Sequence, residues 1–312
     1  MLTRRHVRIK VMQTLYAHNF NGADDPKTLK AFLKSSIQKT FELHLLLLAL
    51  LRAFRRHAQE QYKLKKQQQR FVENPTALGL PLLQNELLVQ LQEDEQLSKL
   101  LKRQYHKFWD LRFDYIHQLY NALIESPLYA EYAQLSSPSL VQQRQFLVEF
   151  YKTQIAPTDT LYEALEEHQL TWTDDFPLVN TFLLKYFKQL TPGRSAPLPL
   201  LAEFKEEVQF ATALLHQALL HQEDIAATVE GKTPNWESDR IAEMDKMLLH
   251  LAITELLHFP QIPPKVTLNE YLEIAKDYST PKSNIFINGV LDKLAKEFEA
   301  SGQMVKQGRG LK

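Results

Sequence analysis

The side chains best suited to chemistry in this chain are arginines at its start. Arg4, Arg5 and Arg8 fall within two helical turns, with Lys10 behind them and no acid before Asp24. Cations at a helix N-terminus oppose the macrodipole, at roughly 0.3–1 kcal/mol each when exposed. Such a cluster invites an anion, and phosphate meets guanidinium with bidentate geometry. Tyr16 lies further along the same segment, and arginines beside an aromatic ring suit single-stranded RNA, whose unstacked bases stack on rings and guanidinium planes. An ordinary basic N-terminus is the competing reading.

Other chemistry is poorly represented. There is no GxSxG, HExxH, Walker loop or dinucleotide fingerprint. The 11 His are scattered, and His216 and His221 are five apart, which does not stack them on one helix face as metal ligands. The carboxylate pairs Glu206-Glu207 and Asp174-Asp175 are adjacent and so point in different directions on a helix. With no cysteine, the chain has no disulfide, thiolate zinc site or cysteine nucleophile. The expectation is a protein without catalytic residues, metal or cofactor.

Charge is informative only by segment. The 37 basic and 37 acidic side chains cancel. Residues 1–23 carry four cations and no acid, while residues 198–300 carry 17 acids against 9 bases, a net of −8. Residues 52–70 hold Arg52, Arg55, Arg56, Lys63, Lys65, Lys66 and Arg70 against Glu60 alone, with Tyr62 interleaved. Helical spacing brings Arg52, Arg56, Lys63 and Arg70 near one face. Two readings fit that stretch: a solvated helix face, or an auxiliary RNA contact.

The elements that must position these groups are helices. Gly is scarce, at 8 of 312, and Leu, Gln, Lys, Glu and Ala dominate. A first helix runs from a Thr3 cap to about Phe20, with Val7, Val11 and Leu15 as its apolar stripe. A second, of about 45 residues, runs from Pro26 towards Phe71. Residues 82–125 are helical with a break near Asp94. Helices follow at about 139–154, 159–168 and from 174, where Pro177 is placed in a first turn. Thr191 to Pro197 is the clearest linker. Beyond it, helices are expected at about 199–221, 223–230, 237–258, 267–278, capped by Thr267, and 282–299. Gly289 within the last suggests a close helix crossing, with Asn288 as a buried polar tie.

The longest apolar run, Leu43 to Leu51, is nine residues and contains His44, against the ~20 that a membrane span needs. No apolar signal stretch follows the charged start. The expectation is a soluble cytoplasmic protein with no membrane contact. A 26-residue spacing recurs from Phe146 to Trp172 and from Phe210 to Trp236, with Asp159 and Asp224 between and Leu183-Leu184 and Leu248-Leu249 after. Duplication and chance agreement among Leu-rich helices both account for it.

Several of these strings resemble the NusB transcription antitermination factors. Arg4-Arg5-His6-Val7-Arg8 through Met12-Gln13-Thr14-Leu15-Tyr16 is similar to that family's opening helix. Pro263-Pro264-Lys265-Val266 through Asn269-Glu270, then Ala275-Lys276 and Phe286-Ile287-Asn288-Gly289-Val290-Leu291-Asp292, resembles its C-terminal signature. Asp245, Leu249, Leu251-Ala252 and Glu255-Leu256 are similar to its central helix.

The resemblance implies an all-α fold, a NusB-like pair of small helical bundles, here with an additional helical insertion. It divides the chain into an RNA-binding core at 1–20 and 198–300, an insertion at 21–197, and a flexible basic tail at 301–312. It implies a non-enzymatic role: binding boxA-type RNA together with NusE, the small-subunit ribosomal protein, and modifying RNA polymerase on ribosomal RNA operons. By matched position, Arg4, Arg5, Arg8, Gln13 and Tyr16 fall on the RNA side, and Asp239 and Asp245 on the NusE side. Lys282 stands where an acid is common, and its extra cation adds an RNA-side candidate. His250 replaces a usual Arg, and Ile9-Lys10 a pair that usually includes Glu. NusB-like domains also occur fused to RNA cytosine methyltransferases, but the required cysteines are absent here. A helical protein-interaction module whose RNA role is lost or secondary is the alternative.

Overall fold

A computed structural model describes residues 4–21, 25–68, 79–194, 204–230 and 241–307. In chain order the helices are α1 (Arg4–Asn21), α2 (Pro26–Gln68), α3 (Leu80–Gln84), α4 (Glu86–Glu93), α5 (Glu95–Leu100), α6 (Arg103–Asp110), α7 (Phe113–Ile124), α8 (Pro127–Ala133) and α9 (Leu140–Phe150). A π-helical turn, Tyr151–Ile155, continues α9. Then come α10 (Asp159–His168), α11 (Trp172–Gln189), α12 (Phe204–Leu220), α13 (Gln222–Glu230), α14 (Glu243–His258), α15 (Pro264–Tyr278) and α16 (Ser283–Ala300). The fold is all-α: an isolated bridge between Thr191 and Arg194 is the only extended pairing among the described residues. No helix among them is long and apolar enough to cross a membrane.

The chain forms two compact units, one of residues 1–37 with 203–312, the other of 38–202. The boundary falls inside α2, not at Asn21.

In the first unit α14 is central. Leu248, Leu249, Leu251, Ala252, Ile253 and Leu256 give it a wide apolar face and are all fully buried, and Asp245, Thr254 and Glu255 are buried with them. Helices α1, α12, α13, α15 and α16 pack on it. Pro263 caps α15, so the helix opens at Pro264 and not at Thr267. Thr267 is instead buried, donating its hydroxyl to Glu255 Oε1 at 2.8 Å. Gly289 has nothing within 4 Å of an added Cβ, and Asn288 is exposed. The expected close crossing and buried tie are absent there, because both residues face outward on α16. Residues 301–307 are not a loose tail. Gln307 N donates to Pro260 O at 2.9 Å, and Lys306 Nζ donates to Glu255 O and Phe259 O at 3.3 and 3.0 Å. An ammonium on the last carbonyls of α14 complements the helix dipole.

The second unit is built from short helices with side-chain caps. Asn85 Oδ1 accepts from the amides of Leu87 and Leu88 to open α4, and Asp94 Oδ1 accepts from Leu97 N to open α5. Ser139 and Gln142 form a capping box on α9. The indoles of Trp109 and Trp172 each donate at 2.8 Å to α2 carbonyls, of Leu46 and Lys39. Pro177 lies inside α11, since that helix begins at Trp172. Two of the seven basic residues of the α2 stretch are internal. Arg52 donates to Leu91 O, Asp94 O and Ser98 Oγ, and Arg55 is buried towards Leu83 O. Arg52 thus engages the Leu91 carbonyl in the last turn of α4 and adds to Asp94 O, which Ser98 already engages, and neither reading of the stretch as an exposed face holds for these two arginines. Arg70 and Trp236 lie outside the described residues, as do Thr3 and residues 195–197 of the linker.

Candidate nucleic-acid interface

Helix α1 sorts its candidates by face. Val7, Val11, Met12 and Leu15 are buried, whereas Arg5, Ile9, Gln13 and Tyr16 form a stripe reached from solvent, with Tyr16 37% exposed. Their spacing of four, four and three keeps them on one side of a 3.6-residue helix. From Arg5 to Tyr16 the stripe is about 16 Å long at 1.5 Å per residue. Arg4 is exposed at the helix start, its guanidinium 5.0 Å from the centroid of the Phe210 ring.

Arg8 does something else. It is 1% exposed. Its Nε and Nη2 donate to Glu255 Oε2 and Oε1, both at 2.7 Å, and Nη1 stands 3.5 Å from Glu270 Oε2. The guanidinium lies over the rings of Phe210 and Tyr271 at 5.4 and 5.9 Å. Burial works against its charge, but the Glu255 hydrogen bonds and the carboxylates outweigh it and raise its pKa. Arg8 touches the floor of a cleft lined by Arg4 and Arg5, but with 1% exposure and its donors committed to Glu255 and Glu270 it has little left to offer a phosphate. Its expected contact role is corrected to a positioning one: it fastens α1 to α14 and α15.

Arg5 is intermediate. Nε and Nη2 donate to Glu270 at 3.3 and 3.1 Å, and Glu273 stands 3.7 Å away. The side chain is 36% exposed, so it is held rather than hidden. With Arg4 it lines an open cleft of about 560 Å³, whose other walls include Ile262, Pro263, Val266 and Glu270. His6 also lines it, and burial with Arg5 and Lys10 nearby lowers its pKa to about 4. At neutral pH the imidazole is uncharged. The cleft thus offers cations on one side and the apolar edge of the α14–α15 corner on another.

The remaining candidates lie apart. Lys282 is exposed at the position preceding α16 and is not among the cleft's lining residues. Asp245 is 5% exposed and accepts from the hydroxyls of Ser279 and Ser283. It therefore ties α14 to the α15–α16 turn and is corrected from a partner-facing acid to an internal acceptor. Asp239 lies outside the described residues. His250, where Arg is usual, is largely buried with Nε2 2.9 Å from Ala218 O. Sequence reading missed Glu270 as the counter-ion of Arg5, and Phe210 as the ring under two arginines. Both stand in strings already noticed, but no spacing rule relates them to residues more than 200 positions away.

No group of three or more His, Asp or Glu placed to hold a metal occurs among the described residues. Fold and cleft define an all-α bundle protein whose accessible arginines face an open, partly apolar groove. The sequence model of the NusB family matches residues 194–296. Over 99 residues the chain is 41% identical to the transcription antitermination protein NusB of Koribacter versatilis, covering 31% of this chain and 68% of that one. The chain belongs to the NusB family. The proteins of the same name from Salinibacter ruber and Chloroherpeton thalassium are 45% and 39% identical over 102 and 115 residues. Those matches cover 33% and 37% of this chain but 64% and 54% of the relatives, so less than two thirds of either is spanned. No solved structure is a significant match to the chain.

Proposed function

We propose that this protein is a non-enzymatic transcription antitermination factor that binds boxA-type single-stranded RNA and acts with NusE on RNA polymerase at ribosomal RNA operons. The observation that carries the RNA part is the stripe of Arg5, Gln13 and Tyr16 on α1, continuous with Arg4 at the mouth of the cleft. Guanidinium groups there can pair with phosphates while Tyr16 and the apolar corner accept bases. Lys282 supplies a further cation from the start of α16. The relatives carry antitermination in their names, which supports the wider role.

The acidic balance of residues 198–300 favours a basic protein partner, and NusE is that partner in this reading. Asp239 is its candidate contact. In this reading the first unit, residues 1–37 with 203–312, serves as the RNA-binding core, and the second, residues 38–202, is the insertion.

Titrating fluorescent boxA-like RNA at several salt concentrations, with and without NusE, tests the proposal. Affinity should fall with salt, because cation contacts release counterions at a log–log slope of about 0.7 per phosphate on a single strand. Combined Arg4→Ala and Arg5→Ala should weaken binding and flatten that slope while the helical signal is kept. Absent or salt-insensitive binding overturns the RNA role; NusE binding without RNA would leave a protein-interaction module.

A further inference from the structure

We infer that the second unit carries its own contact for single-stranded RNA, on the face where the C-terminal turns of α2 meet α7. The inference rests on the RNA-binding reading above but uses none of its residues. Of the seven basic residues at 52–70, the structure commits three elsewhere: Arg52 and Arg55 to carbonyls, and Arg56 to Asp110 at 2.6 Å. Lys63, Lys65 and Lys66 differ. None has a carboxylate partner among the described residues, although Glu60 is close by in sequence and exposed. Lys65 Nζ sits 5.6 Å over the Tyr120 ring and Lys66 Nζ 5.9 Å over Tyr62.

A helix dipole accounts for lysines in a last turn, but it does not account for the rings among them. On α7, Phe113 is 51% exposed and lies nearly parallel to His117, at 13° and 6.1 Å between centroids. His117 is fixed from both sides, by His57 Nε2 at 3.2 Å and by Asn121 at 3.0 Å. An outward phenyl backed by an immobilised ring is a ready stacking platform. On α2, His57, which abuts both rings, and Lys65 are eight residues apart, about 12 Å along the helix. Around α2, Lys66 is about 100° and Lys63 about 160° from Lys65, so the three cations surround the helix end, with only Lys65 against a ring of α7. Lysines around such rings match how sequence-tolerant single-strand sites are made, backbone on lysines and bases on rings. The exposed acids beside it, Glu60 and Asp114, are fewer than the three lysines.

The test uses the full chain and a 20-nucleotide single-stranded RNA lacking any boxA-like sequence. Lys63→Ala, Lys65→Ala and Lys66→Ala together should reduce affinity and lower the log–log salt slope by about 2, at about 0.7 per lost phosphate contact. Phe113→Ala should weaken binding by about 5-fold or more, the effect of one lost stack. In a Phe113→Trp chain the emission of the new indole should be quenched on RNA addition, a readout that a purely structural role would not give. If the triple variant binds with parental affinity and slope while Arg4→Ala/Arg5→Ala is impaired, the second contact is wrong and the α1 reading stands. If the lysine variant alone is impaired, the second contact stands and the α1 reading falls. If the parent chain binds no RNA, both fall.

Discussion

Arg8 and Glu255 form a two-pronged ion pair inside the first unit, both prongs 2.7 Å long and both side chains almost without solvent contact. The pair stands 247 residues apart in sequence. Glu255 also accepts from Thr267 at 2.8 Å and from the Tyr271 hydroxyl at 3.5 Å. One carboxylate therefore joins α1, α14 and α15, and the solvent-reached stripe of α1, the proposed RNA contact, is held in place by a residue that faces inward.

Removing one partner of such a pair leaves a buried charge uncompensated, at a cost of about 3–5 kcal/mol. Arg8→Ala should lower the unfolding free energy of the first unit by that amount in urea titrations. Arg5→Ala, whose pair with Glu270 is partly solvated, should cost no more than about 1 kcal/mol. Equal losses from the two changes would contradict the assignment of Arg8 as internal and Arg5 as accessible.

Glu270 competes with any phosphate for Arg5. Exposed pairs are worth about 0.2–1 kcal/mol, which is about 1.4- to 5-fold in affinity. Glu270→Gln should therefore tighten RNA binding by a factor in that range, most visibly at low salt, while the amide still accepts a hydrogen bond. Weaker binding after this change would mean that Glu270 holds Arg5 in its binding pose instead of withholding it.

Much of the frame was legible in the sequence because its signals are local. A break is expected near Asp94, and there Asp94 caps α5 through Leu97 N. The Pro263-Pro264 stop begins α15. What escaped depends on distant partners. Arg4, Arg5 and Arg8 look equivalent as a string, yet Arg8 turns inward by about 60° around the helix from Arg5, at 100° per residue. Asp245 reads as a surface acid until Ser279 and Ser283 arrive from another helix. Thr267 reads as a cap because no sequence rule announces Glu255 beneath it. In the second unit the charge run of α2 is uniform as a string, but Arg52 and Arg55 turn inward to carbonyls of the helices that follow it.

Asp245 offers a separate check on surface against interior. Asp245→Ala removes the acceptor shared by two serine hydroxyls at the α15–α16 turn, leaving them only each other and Thr280, and a buried polar group without its partner costs about 1–3 kcal/mol. The melting temperature of the first unit should fall, and Asp245→Asn should recover part of the loss. A partner-facing acid would behave otherwise, leaving stability unchanged and lowering affinity for a basic protein.

In the second unit His44 is fully buried on α2, its ring edge-on to Tyr186 at 6.1 Å, and neither ring nitrogen has a hydrogen-bond partner among the described residues. Burial lowers its pKa from 6.5 to about 3. A histidine depressed in the folded state binds its proton more readily when unfolded, so its contribution is fully present above pH 6.5. As pH falls from 6.5 towards 3 that contribution is lost, at up to about 1.4 kcal/mol per pH unit for one proton. Urea unfolding followed by tryptophan fluorescence, to which the buried Trp109 and Trp172 of this unit contribute, should show stability falling from pH 7 to pH 5. His44→Leu should flatten that dependence and add about 1–3 kcal/mol at pH 7, the cost of burying a polar group unpaired. An unchanged acid limb in the variant would place the responsible titration on another group.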